Sequence, residues 1–245
     1  MANLVVDEGN TLCKIAVVDK SEVLCEVSAP EFDMAKAEQF VAQFSIDKAI
    51  VASTRGGAGH ICEKLRLKIA KVLHFTSQTD VPIEIEYSSR QTLGADRIAV
   101  AVGVVCEMGM ENALIVDMGS AITYDIVEKG IFKGGNISLG VAMRFRALHE
   151  FTAALPLCES TEPNGKFGQS TREAIEQGVM QGVLHEIEGY AERISAENEK
   201  KNIIFCGGDA ESFVNRIKNA IFAPRKLMFT GLNIILEYNV SKNNI

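Results

Sequence analysis

Two Asp-x-Gly turns carry the residues of this sequence best suited to chemistry. Leu4-Val5-Val6-Asp7-Glu8-Gly9-Asn10 and Leu114-Ile115-Val116-Asp117-Met118-Gly119-Ser120 align without a gap at one offset, 117 minus 7, or 110. An acid at a strand tip followed by glycine sets a carboxylate beside backbone N–H groups that can face a ligand without a Cβ in the way. Asn10, Thr11 and Ser120 add side-chain donors. Two such turns facing one another would surround a polyphosphate, with Asp7 holding the magnesium that offsets its charge. A single Asp-x-Gly is a common surface turn; the matched pair points to phosphoryl transfer. A third apolar run, Ile203 to Cys206, ends in Gly207-Gly208-Asp209, suited to let the backbone approach the adenosine end of a nucleotide. The sequence has no Gly-x-x-x-x-Gly-Lys-Ser/Thr and no Gly-x-Gly-x-x-Gly, which argues against a P-loop or dinucleotide fold.

Between the two turns, Leu93-Gly94-Ala95-Asp96-Arg97 opens a helix that runs through Ala99, Val102, Gly103 and Cys106. Two readings of Asp96-Arg97 stand side by side. One is a capping acid in the first helical turn beside a solvated arginine. In the other, Asp96 accepts a proton from a substrate hydroxyl and Arg97 orients an anionic substrate through charge-assisted hydrogen bonds.

The elements that must position these residues alternate between strand and helix. Asn3–Asp7, Ile15–Val18 and Glu22–Val27 read as an antiparallel meander, and residues 32–44 carry a helical apolar stripe. Ala49–Ser53 returns to a strand, Gly56-Gly57-Ala58-Gly59 reads as a flexible surface loop, and residues 61–73 read as a second helix. After the second Asp-x-Gly turn the meander repeats: a strand over 121–127, a turn at 128–130, and a strand from Ile131. This pattern predicts a duplicated α/β fold, with domains 1–112 and 113–245.

Composition narrows the function classes. The 245 residues are 47% hydrophobic and 23% charged, enough to bury a full core. A net charge of -7 without basic runs argues against nucleic acid or anionic lipid as partner. The absence of a leader and of a long apolar segment predicts a cytoplasmic location. The six cysteines (13, 25, 62, 106, 158 and 206) form no Cys-x-x-Cys pair, so they read as reduced core residues rather than zinc ligands.

Taken together, Asp7-x-Gly9-Asn10-Thr11, Gly94-Ala95-Asp96-Arg97, Asp117-x-Gly119-Ser120-Ala121-Ile122-Thr123, Gly134-Gly135-x-Ile137-x-x-Gly140, Thr152-Ala153-x-Leu155-Pro156 and Thr171-Arg172-Glu173-Ala174-Ile175 resemble type III pantothenate kinases, in the family's order. The resemblance implies the fold of the acetate and sugar kinase, heat-shock chaperone and actin superfamily: two ribonuclease-H-like domains, mixed sheets flanked by helices, with ATP in the cleft between them. It implies transfer of the ATP γ-phosphate to pantothenate, giving 4'-phosphopantothenate, the first step of coenzyme A synthesis. By the same resemblance the segment Asp7, Glu8, Gly9, Asn10, Thr11, Leu12, Cys13, Lys14 and also Ser120 contact ATP. Tyr87, Gly94, Ala95, Asp96, Arg97 and Thr171 contact pantothenate, with Asp96 as proton acceptor. Asp117 takes part in binding a monovalent cation, potassium or ammonium, and magnesium accompanies ATP. Members are homodimers in which Thr171 reaches the neighbouring subunit's site. Ser120 stands where threonine is usual, Leu139 where proline is, and Val100 where asparagine is common. Two other functions fit the same turns: a catalytically silent nucleotide-binding regulator, and a kinase for another small hydroxy acid.

Overall fold

The computed structural model describes residues 2–195, 202–223 and 226–245. Its first half contains β1 (Asn3–Glu8), β2 (Cys13–Asp19), β3 (Glu22–Ala29), α1 (Met34–Phe44), β4 (Lys48–Ser53), α2 (Ala58–Arg66), β5 (Lys71–His74), β6 (Glu84–Ile85) and α3 (Ala95–Val102). One five-stranded sheet runs β3-β2-β1-β4-β5, with β1, β2 and β3 antiparallel and β4 and β5 parallel to β1. Leu4, Val5 and Val6 are fully buried, as expected of a central strand covered on both faces. Asp33 caps α1, its carboxylate accepting from Lys36 N–H at 3.1 Å.

The second half contains β7 (Ala113–Met118), β8 (Ala121–Glu128), β9 (Ile131–Leu139), α4 (Val141–Glu150), α5 (Thr171–Ser195), β10 (Asn202–Cys206), α6 (Glu211–Val214), β11 (Ala220–Phe222) and α7 (Leu227–Ser241). Its sheet runs β11-β10-β7-β8-β9-β6. Read from β9, the order β9-β8-β7-β10-β11 repeats that of β3-β2-β1-β4-β5. β7 takes the place of β1, and its parallel neighbour β10 takes that of β4. The duplication seen in the offset of 110 is therefore a duplication of topology, and the chain has a mixed α/β fold.

Two compact units result: 1–111 with 127–133 and 226–245, and 112–126 with 134–225. α7 and the tip of the β8–β9 hairpin belong with the first unit. The reason is packing. α7 lies against α3 and β1. Asn3 donates to Asn233 and Glu237 at 2.7 Å each, and Lys48 pairs with Glu237 at 2.7 Å. β6 pairs in parallel with the start of β9, Glu84 opposite Ile131 and Ile85 opposite Phe132.

Three local expectations are corrected. The helix expected over 61–73 ends at Arg66, and residues 71–74 form β5, because Val72 and Leu73 pair with Ala49 and Ile50 of β4. The helix expected to run through Cys106 changes at Gly103 into a π-helical segment, Gly103–Glu107. Cys106 is exposed and not a core residue, whereas Cys13, Cys62, Cys158 and Cys206 are buried. Among the described residues no helix is long and apolar enough to cross a membrane.

Candidate functional site

In the first unit the site begins where β1 ends. Asp7 is 5% exposed and faces Lys14 across the β1–β2 pair and Ala52 on β4. Burial pushes its carboxyl up to about 6; Lys14 pulls it down, while Asp96 and then Glu8 push it further up. The Asp96 contribution shows that the acid of the α3 motif lies close to the first turn. Gly9 N–H donates to the Leu12 carbonyl at 3.0 Å and closes the turn, on which Asn10, Thr11 and Leu12 are exposed. Cys13 is 1% exposed, and burial, followed by Glu8 and Asp7, pushes its thiol up to about 11. It stays a neutral core group, which leaves its backbone as the part able to meet a ligand.

Glu8 does not project outward. Its carboxylate accepts from the Ser53 hydroxyl, and Ser53 Oγ in turn accepts from Arg55 N–H at 3.1 Å and Gly57 N–H at 3.2 Å. Thr54 N–H donates to the Glu8 carbonyl at 3.0 Å. The Arg55 guanidinium donates to the carbonyls of Asn10, 3.1 Å, and Pro30, 2.9 Å. The loop expected to be free and flexible is thus tied to the first Asp-x-Gly turn. Ser53 and Arg55 are site residues that motif reading passed over. Their place follows from the pairing of β4 as the parallel neighbour of β1, since loops at the same end of parallel neighbours lie side by side, and no motif marks it in the sequence.

The second part of this site is the start of α3. Gly94 precedes the helix, and a Cβ there would stand 2.3 Å from Asp96 Oδ1, so glycine is what gives the carboxylate its room. Asp96 Oδ1 accepts from Arg97 N–H at 2.9 Å. Arg97 is 6% exposed and therefore not the solvated arginine of the capping reading. Its guanidinium carbon lies 5.8 Å from the centroid of half-buried Tyr87. Ala95 is buried beside it, and so is Val100, whose apolar side chain suits a packed position.

In the second unit, Asp117 is the penultimate residue of β7, opposite Cys206, and is half-buried. Gly119 N–H donates to the Ala121 carbonyl at 3.0 Å, the counterpart of the Gly9 turn. Gly140 sits against this turn: a Cβ on it would lie 2.3 Å from the Ser120 carbonyl oxygen and 2.6 Å from that of Gly119. The N-terminus of α4 therefore starts beside Ser120, where its unpaired N–H groups and helix dipole favour an anion. From the other side, Asp209 N–H donates to the Met118 carbonyl at 3.1 Å, which brings the third glycine turn to the same place. Burial raises the Asp209 carboxyl. A cavity of about 470 Å³ between Val141, Phe145, Leu157, Cys158 and Asp209 adjoins it. Thr171, at the start of α5, lines a different space. It forms part of a groove of about 880 Å³ with Leu139, Arg144, Phe151, Leu155 and Ile175, whose walls include neither Asp117 nor Ser120.

The structure thus gathers Asp7 to Lys14 with Asp96, gathers Tyr87 with Gly94 to Arg97, and sets Asp117 and Ser120 together. Residues 3–193 match the model of the type III pantothenate kinase family. A type III pantothenate kinase of Porphyromonas gingivalis is 38% identical over 242 residues, covering 97% of this chain and 99% of that one. Among solved structures, a Campylobacter jejuni protein described as a Baf family transcriptional activator superposes with a TM-score of 0.65 at 24% identity, covering 97% and 99% of the two chains. An inorganic polyphosphate/ATP-glucomannokinase from Arthrobacter does so with a TM-score of 0.55 at 12% identity, covering 97% and 99%. These two bear on the fold alone. The length and identity of the sequence matches settle the family: this chain belongs to the type III pantothenate kinases.

Proposed function

We propose the following roles for the residues of this kinase. As a type III pantothenate kinase it transfers the γ-phosphate of ATP to pantothenate, the opening reaction of coenzyme A synthesis. Asp96 is the general base: it accepts the proton of the pantothenate primary hydroxyl while that oxygen attacks the γ-phosphorus and ADP leaves. Arg97 receives the pantothenate carboxylate, with Tyr87, Gly94 and Ala95 forming the wall beside it. The observation that carries this reading is the pairing of Asp96 with a buried arginine at one helix start, under a glycine that leaves room for the carboxylate.

Asp7, Glu8, Gly9, Asn10, Thr11, Leu12, Cys13 and Lys14 form the ATP-contacting segment of the first unit, and Ser120 is the contact of the second. The buried Asp7 carboxylate suits a divalent cation, because a charge buried without a strong partner is offset when a cation arrives. Bound there, magnesium supplies charge neutralisation for the phosphates. Asp117 is the ligand we assign to the monovalent cation, potassium or ammonium. The Gly207-Gly208-Asp209 turn and the cavity beside it suit the adenosine end. We assign a homodimer, with Thr171 serving the neighbouring site. The groove that Thr171 lines supports it, since Phe151 is 85% exposed and Leu139 46% exposed there.

The test is a phosphate-transfer assay on purified protein with ATP, magnesium and pantothenate, with and without potassium. Asp96→Asn is expected to lose at least about 100-fold in kcat while nucleotide binding stays near wild type. Wild-type turnover in that variant would remove Asp96 from the mechanism. A monomer in sedimentation analysis would remove the dimer.

A further inference from the structure

Arg97 has a second aromatic neighbour that no motif singles out. Its guanidinium carbon is 5.8 Å from the ring centroid of Phe132 as well as 5.8 Å from that of Tyr87. The two rings meet edge to face, with centroids 6.2 Å apart and planes at 61°. Phe132 is fully buried. Its backbone is fixed by the short parallel pair in which Ile85 faces Phe132 and Glu86 N–H donates to the Phe132 carbonyl at 2.9 Å. Lys133 closes the same edge with an ion pair to Glu86 at 2.7 Å. One strand pairing therefore delivers both rings: Phe132 from β9, and Tyr87 from the residues just past β6.

We infer that Phe132 is a positioning residue for carboxylate recognition, its ring and that of Tyr87 together holding the Arg97 guanidinium over them before pantothenate binds. The physical reason is twofold. Ring faces attract a guanidinium, and more strongly where both are desolvated. A guanidinium held in one orientation presents its N–H fork to a planar carboxylate without losing rotamer freedom on binding. Aliphatic carbon at position 132 fills the space but offers no π face. The inference rests on the assignment of Arg97 to the pantothenate carboxylate, and the experiment separates the two.

The experiment compares pantothenate with its uncharged primary amide as acceptors, measured by turnover or, where turnover is slow, by competition. For Phe132→Leu the KM for pantothenate is expected to rise about five- to tenfold, with kcat and the KM for ATP within about twofold of wild type. The KM for the amide is expected to stay within about twofold, because the amide has no carboxylate for Arg97 to read. A merely structural role for Phe132 would weaken both acceptors alike. Equal losses for acid and amide, or a fall confined to kcat, would overturn the inference. Arg97→Met should abolish the preference for acid over amide. If it keeps that preference, the Arg97 assignment falls and takes the inference with it. If Phe132→Leu lowers the thermal midpoint so far that kinetics are compromised, Phe132→Met, closer in volume, carries the same expectation.

Discussion

Replacing Asp7 by asparagine should make the unliganded protein more stable at neutral pH while removing its activity. Asp7 is 5% exposed at the end of a central strand, and its carboxyl is pushed from the ordinary 3.8 to about 6, mainly by burial. A raised carboxyl means that the folded chain holds the proton more tightly than the unfolded chain does. The contribution to stability is therefore fully present below about 4 and is lost as pH rises through about 6. Above that window the native state carries a buried charge. At ~1.4 kcal/mol per pH unit, the interval from 3.8 to about 6 corresponds to a cost of roughly 3 kcal/mol. Asparagine keeps the shape and cannot ionise. For a chain of this size that recovery amounts to roughly 6–10 °C in Tm. Thermal unfolding of both proteins without nucleotide, from pH 3.5 to 8, gives the comparison. The variant should lead at pH 7.5, and the lead should vanish near pH 4. A variant no more stable than wild type at pH 7.5, or one whose gain is the same at pH 4, would refute the claim that a buried charge on Asp7 strains the unliganded site. Magnesium and ATP should narrow the gap by stabilising wild type alone.

Three further outcomes follow from the same geometry. Gly94→Ala places a methyl group 2.3 Å from Asp96 Oδ1 without straining the backbone, so kcat should fall about 100-fold with ATP affinity kept; initial rates over both substrates check this. Gly140→Ala drives a methyl group into the carbonyls of Ser120 and Gly119 and should raise the KM for ATP by about tenfold or more, with the KM for pantothenate little changed. Arg55→Ala removes the donors to the Asn10 and Pro30 carbonyls, and a rise of about three- to tenfold in the dissociation constant for ATP is expected by calorimetry.

What could be read from the sequence was local in origin. Strands β1 and β7 are β-branched runs that end in Asp-x-Gly, so strand, turn and acid are specified within seven residues, and their repetition at an offset of 110 reveals the duplication. Asp96 and Arg97 were visible because they open a helix. Features that depend on distant partners were not visible. Residues 71–74 have apolar spacing that continues a helix, and they become β5 only because β4 offers a free edge. Ser53 reads as the last residue of a strand and Arg55 as a loop residue, and neither is tied to the first turn until β4 aligns beside β1. Phe132 reads as one more inward residue of a strand, and nothing near it in sequence tells of Arg97, 35 positions away by 132 minus 97. The end of the chain falls in the second half by sequence order alone, whereas Asn3 and Lys48 tie Glu237 of α7 to the first unit.

Duplication also explains why the two equivalent acids should have different tasks. Asp7 and Asp117 occupy the same place in matching sheets, each the penultimate residue of a strand that lies next to a parallel neighbour, β4 and β10. What differs is the packing added on top. At the first turn a lysine stands opposite the acid, Asp96 adds a second carboxylate nearby, and burial nearly closes the site, so any cation there must offset concentrated negative charge. At the second turn the neighbours are the start of α4 and the Asp209 turn, both of which bring backbone N–H groups. An arrangement rich in N–H donors favours phosphate oxygens, and a half-buried acid beside it suits a singly charged ion better than a second divalent one. On this argument, exchanging the two acids' roles by mutation should fail even though their strands superpose in order. Asp117→Asn should abolish the response to potassium while leaving the magnesium requirement intact. A variant that still responds to potassium would show that the cation is held elsewhere.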